Sequence, residues 1–243
     1  MGIPVIGCKC PVCQSEISFN KRLRPSALLM IDGKRILIDC GPDFREQALR
    51  YGLDQLDGII ITHAHNDHTA GFDELRIYSL RTHQAIPCLL SPDTLADLKR
   101  RFYYIFDEDS PYAALTAKFQ LQLLESERAE VLFAGLDVRY FTYQQGGMNV
   151  NGFRFGNLAY VSDIRDYPTT IFEDLKGVET LVISALRFSS TPLHFSIDEA
   201  VDFSRRVGAK QTWLMHIAHE LDHEKANAYL PADIRLAYDG LEI

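Results

Sequence analysis

No apolar run in this chain approaches the roughly 18 to 20 residues that a membrane span requires, so no segment reads as a transmembrane helix. No secretory leader is expected either, since the first residues carry no basic stretch followed by an apolar one. Positive charge is in short supply, with 25 Lys and Arg against 33 Asp and Glu and a net charge of −8. Neutralising phosphates is the main source of nucleic-acid affinity, so a broad nucleic-acid footprint is not expected. A small phosphorylated substrate is untouched by that reasoning. Cysteines number five, an odd count; in a chain without a leader this points to the reducing cytoplasm and against disulfides. There is no internal repeat, low-complexity tract or linker-like stretch, and 243 residues can bury one sizeable core. A single domain, residues 1–243, is expected.

What is present reads as an α/β chain. ALLMID (27–32) and RILIDC (35–40), separated by Gly33, predict an antiparallel hairpin. GIII (58–61), PCLL (87–90), LAYVS (158–162), TLVIS (180–184) and TWLM (212–215) are short, continuous apolar runs, as strands buried on both faces are. Ser91-Pro92 offers a cap and first-turn proline to one helix, and Ser196 to Glu199 forms a capping box for another. Residues 129–156 alternate like further antiparallel strand. The basic cluster Lys21, Arg22 and Arg24 reads as a solvated face, and Cys40 and Cys88 as buried small hydrophobes.

Metal-capable side chains then fall at three strand ends. THAHNDH (62–68) follows GIII, Ser162-Asp163 ends LAYVS, and His216 follows TWLM. His63 and His65 suit one cation, while Asp67 and His68, displaced along the loop, suit a second. Asp163 beside them is a credible bridging carboxylate, and His216 a further imidazole. Cys8, Cys10 and Cys13 in GCKCPVC look one ligand short of a closed thiolate site.

The histidine motif, with IDCG (38–41) upstream, Ser162-Asp163 and the late His216, resembles the metallo-β-lactamase fold superfamily. GIPVIGCKCPVC, IDCGPDFR, LHFSIDEA and MHIAHEL are similar to its PhnP-like branch, which contains the phosphoribosyl cyclic phosphate phosphodiesterase of phosphonate breakdown. The resemblance implies a four-layer αββα sandwich of two mixed sheets. It also implies a structural zinc on Cys8, Cys10, Cys13 and His219, the histidine three residues beyond His216; the alternative is that His219 decorates a polar helix face. Two divalent cations, zinc, manganese or iron, are implied for the active site: His63 and His65 on the first, Asp67, His68 and His216 on the second, Asp163 between them. Asp39 is implied to orient the histidine loop. His194, two residues before the cap Ser196, is assigned to protonating the leaving oxygen or binding phosphate, and Asp67 is the other catalytic candidate. The expected reaction is metal-dependent hydrolysis of a small, cyclic or linear phosphodiester by a metal-bridging hydroxide.

Two features depart from the branch. Gln145 stands where it has a histidine on the first metal, leaving Gln145 a candidate ligand of weaker donor strength. The chain also starts where a strand and glycine-rich turn should end, so the first strand is expected to be missing. Rival readings are a tRNA-processing nuclease, which should carry a basic arm not seen here, a thioester or lactam hydrolase, and a metal-poor member with a binding or accessory role. The expected partner is a small phosphorylated molecule; a homodimer is allowed and a membrane is not expected.

Overall fold

The computed structural model describes residues 2–107 and 109–243. The chain divides into two compact units, Arg24–Ser126 with Leu132–Leu136, and Met1–Leu23 with Glu127–Val131 and Asp137–Ile243.

In the first unit, β1 (Ala27–Ile31) and β2 (Lys34–Ile38) form the antiparallel hairpin around Gly33. β3 (Gly58–Ile60), β4 (Ile86–Leu90) and β5 (Phe119–Leu123) add to it in parallel, giving a five-stranded mixed sheet in the order β1-β2-β3-β4-β5. The helices are α1 (Phe44–Arg50), α2 (Asn66–Thr69), α3 (Arg76–Thr82), α4 (Pro92–Arg101) and α5 (Tyr103–Phe106). Phe44 of α1, Tyr78 of α3 and Leu95 and Leu98 of α4 pack with Leu37, Ile59 and Cys88 of the strands in one buried cluster. Ser91 caps α4, its Oγ accepting from the backbone N–H of Thr94 at 3.2 Å.

Most of β6 (Arg128–Phe133) and β7 (Leu136–Gln145), and all of β8 (Met148–Phe155), β9 (Leu158–Val161), β10 (Thr180–Ser184), β11 (Gln211–Met215) and β12 (Ile234–Leu236), lie in the second unit, in a mixed sheet of order β12-β11-β10-β9-β8-β7-β6. β7, β8 and β9 are antiparallel neighbours, and β9 through β12 run parallel. The helices are α6 (Ile171–Asp174), α7 (Ile197–Val207) and α8 (His223–Tyr229). Ile197, Ala200 and Phe203 of α7 sit in the same core as Val161, Ile183 and Leu214. Both capping-box bonds of α7 are formed: Ser196 Oγ accepts from Glu199 N at 3.2 Å and Glu199 Oε2 from Ser196 N at 2.8 Å. Two mixed sheets flanked by helices make an α/β architecture. Among the described residues, no helix is long and apolar enough to cross a membrane.

Arg22 corrects the sequence reading, being buried rather than part of a solvated face. Its guanidinium donates to Phe19 O, Ala237 O and His223 Nδ1 at 3.0, 2.9 and 2.9 Å, so the fork's donors are met by acceptors from distant parts of the unit. A sequence scan cannot see those acceptors. Burial, and then the Arg22 charge, push the His223 imidazole down to about 4, with Asp222 opposing.

Because the folded value lies below the ordinary 6.5, the neutral form belongs to the fold. The stability it contributes is complete above pH 6.5 and is lost as the pH falls toward 4. Urea midpoints at pH 7 and 4.5 should therefore diverge less in His223→Gln than in the native chain. Parallel losses would exclude this role.

Candidate metal centre

The first unit sets its donors at the end of β3. Asp39, just past β2, is fully buried. Its Oδ1 accepts from the Thr62 N–H and its Oδ2 from the Thr62 hydroxyl, both at 2.8 Å. Oδ2 also lies 2.7 Å from His68 Nδ1. A carboxylate only accepts, so His68 carries its proton on Nδ1 and turns an electron pair outward on Nε2, as a metal ligand must. Thr62 Oγ1 in turn lies 2.9 Å from His63 Nδ1, and His63 Nε2 is 3.0 Å from His65 Nδ1.

Backbone contacts latch this segment. Cys40 N donates to His68 O at 2.8 Å and Gly71 N to Cys40 O at 2.9 Å. A β-carbon on Gly41 would stand 2.1 Å from Asp67 O, which is why glycine follows Asp39-Cys40. Asp67 and His68 lie in α2 rather than in an irregular loop.

The second unit has a cluster of its own, Gln145, Asp163, His194 and His216. Ligand atoms of Asp163, His194 and His216 all lie within 4.8 Å of one another. Asp163 Oδ1 is 3.5 Å from His216 Nε2, and the two imidazoles stack with centroids 4.9 Å apart. The His194 backbone is pinned by Thr191, whose hydroxyl donates to His194 O and accepts from His194 N, each at 2.9 Å, and by Arg165. Thr62, Thr191 and Arg165 escaped the sequence reading. Thr62 adjoins the histidine motif, but nothing in a sequence says that its hydroxyl joins Asp39 to His63. The start of α7 is filled by its own capping side chains, with Asp198 and Glu199 in the first turn.

Asp39, Asp163 and His216, at the ends of β2, β9 and β11, all have left-handed backbone, with φ of 61°, 49° and 59°. Such conformations cost of order 1 kcal/mol or more for a residue with a side chain.

A second cluster lies at the start of the chain. Cys8, Cys10 and Cys13 place their sulfurs 3.4, 3.4 and 3.6 Å from His219 Nδ1. Tetrahedral zinc, with bonds of about 2.3 Å to sulfur and 2.0–2.1 Å to nitrogen, sets S and N about 3.5 Å apart, so the four donors fit zinc. The backbone N–H of Cys13 and the His219 ring hold the Cys10 thiol down to about 6, while burial pushes Cys13 up to about 11. Residues 216–222 form a loop, and α8 begins only at His223, so His219 is not on a helix face. Cys40 and Cys88 are fully buried away from this cluster, and burial raises both thiols.

Residues 34–217 match the family described as the beta-lactamase superfamily domain. The chain belongs to the metallo-β-lactamase superfamily. It is 38% identical to a crystallised diphosphatase of the PhnP family, with a TM-score of 0.89 over 99% of this chain and 91% of that one. The branch read from the cysteine and histidine motifs is thus the branch of that neighbour. An octanoyltransferase of Porphyromonas gingivalis is 35% identical over 244 residues, but this chain spans about half of it, 49%. An anti-Pycsar protein, Apyc1, of a Bacillus phage is 28% identical over 84% of this chain and 87% of its own length.

Proposed function

We propose that the chain is a metal-dependent phosphodiesterase acting on a small phosphorylated substrate, cyclic or linear, in the cytoplasm. The observation that carries the reading is the end-to-end likeness to a PhnP-family diphosphatase, supported by the donor set kept in this chain. In this reading both units act as one metallo-hydrolase domain over residues 1–243. The ligands for divalent metal, zinc, manganese or iron, are His63, His65, Asp67 and His68 in one unit, and Asp163 and His216 in the other. A bound divalent cation offsets charge on the phosphate oxygens and lowers the pKa of a water.

The chain's own residues do the rest. Asp39 fixes the His68 tautomer, and Thr62 fixes His63. Asp163 Oδ1 and His216 Nε2 converge to 3.5 Å, the spacing of two donors to one cation. His194, stacked on His216 and half-enclosed, holds the proton for the leaving oxygen or binds a phosphate oxygen.

A panel of cyclic and linear diesters, set beside a thioester, a lactam and a precursor tRNA, tests the reading. Diester cleavage is expected, and turnover confined to any of the other three would sink it. His194→Ala should lower diester turnover about 10²- to 10⁴-fold while elemental analysis finds the metal content unchanged; undiminished turnover removes His194 from the mechanism.

A further inference from the structure

Asp163 turns its two carboxylate oxygens to different neighbours. Oδ1 faces His216 Nε2 at 3.5 Å and accepts from Ser162 Oγ at 3.2 Å. Oδ2 instead accepts from Gln145 Nε2 at 3.1 Å. The same amide nitrogen is 3.2 and 3.1 Å from the two ring nitrogens of His194. Gln145 Oε1 is buried with no hydrogen-bond partner among the described residues.

The Asp163 carboxylate therefore dictates which way the amide points. A carboxylate offers only lone pairs, and a carbonyl oxygen turned toward it would be repelled, so Gln145 must present its NH₂ group. Its backbone is held to that orientation. Gln145 pairs with Met148 across the Gly146-Gly147 turn. Gln144 N donates to Asp166 O at 2.8 Å and Asp166 N to Gln144 O at 2.9 Å, tying the end of β7 to the segment just after Asp163.

An amide N–H has no electron pair for a cation. Where the branch that this sequence resembles puts an imidazole lone pair, this chain puts two polarised hydrogens directed at Asp163. Their partial positive charge occupies the oxygen that a bridging carboxylate would offer to its first metal. We propose that Gln145 takes a cation's place on Asp163, so that Asp163 serves one metal and does not bridge two. The chain then holds one exchangeable divalent cation in addition to zinc on Cys8, Cys10, Cys13 and His219. Gln145 is a positioning residue here and not a ligand. The inference deepens the metal-dependent reading and rests on it only for the presence of an exchangeable cation.

Titration of the full chain with Mn(II), followed by electron paramagnetic resonance and elemental analysis, tests it without any substrate. Expected are one Mn(II) per chain with the six-line spectrum of an isolated ion, and one retained zinc. Gln145→His should bind two, with an exchange-coupled spectrum and a second site tighter by on the order of 10- to 100-fold. Two ions of comparable affinity in the native chain, a coupled spectrum there, or no bound Mn(II), would overturn the proposal. A count of one in Gln145→His would overturn the role given to Gln145. Retained zinc reports that the variant is folded, and if it is not, the native count decides alone. Diester turnover is scored separately, so a failed count does not depend on whether the substrate class is right.

Discussion

Asp39→Ala is expected to lower affinity for the exchangeable metal about 10- to 100-fold and to destabilise the fold by about 3 kcal/mol. The second figure follows from what is left behind: a buried Thr62 N–H and a buried His68 N–H without acceptors, each costing roughly 1–3 kcal/mol. Alanine also accepts the left-handed backbone at this position less readily than aspartate does. Asp39→Asn is the sharper variant. If its oxygen stays on the Thr62 N–H, its NH₂ group meets His68 Nδ1 and moves the imidazole proton to Nε2, removing the lone pair that a metal needs. If the amide flips, the NH₂ group confronts the Thr62 N–H instead. Metal titration and urea unfolding together would check both variants. Undiminished metal affinity in a folded Asp39→Ala would show that His68 needs no orienting partner.

The second large effect belongs to the cysteine cluster. Residues 2–23 carry little core of their own: Ile3, Val12 and Cys13 are the buried members of their cluster, with Val5, Cys8 and Cys10 packed alongside. Three small apolar groups cannot order some twenty residues, at about 1–2 kcal/mol of backbone entropy each. Hydrogen bonds help, with Ile3 and Arg22 bridging backbone to backbone and Asn20 Nδ2 donating to Asp222 at 2.8 Å. A metal on the four donors would supply the rest, since its binding energy is folding energy in such sites. Cys13→Ser, or stripping zinc with a chelator, should lower the thermal midpoint by about 10 °C and open residues 14–22 to protease. A native chain that carries no zinc, or a Cys13→Ser midpoint equal to that of the native chain, would refute this.

Much of the fold was legible because the buried strands announce themselves. GIII, PCLL, LAYVS, TLVIS and TWLM became β3, β4, β9, β10 and β11 within a residue at either end, since continuous apolar runs have few alternatives inside a sheet. The caps at Ser91 and Ser196 were equally plain, being local hydrogen-bond chemistry. β5 and β12 were not read: FQLQL alternates with a strict period of two and was legible as a strand, whereas IRL is three residues long and its strand character depends on the neighbour it pairs with. The donors were visible by type and position. How they are held was not, because Asp39 acts across 29 positions on His68, and Gln145 across 18 on Asp163 and 49 on His194. Arg22 shows the same limit from the other side, its charge reading as surface until Ala237 and His223 come into view.

At Asp163 and His216, unlike Asp39, whose carboxylate satisfies Thr62 and His68, the left-handed backbone sets fold and site at odds. Glycine would relax both positions, and nothing in the sheet demands aspartate or histidine there. A laboratory selection for thermal resistance alone, run without substrate or metal, should therefore accumulate replacements at these two strand ends before it touches the core. The residues such a selection discards first would mark out the site more directly than an inactivating screen, which also collects every variant that fails to fold.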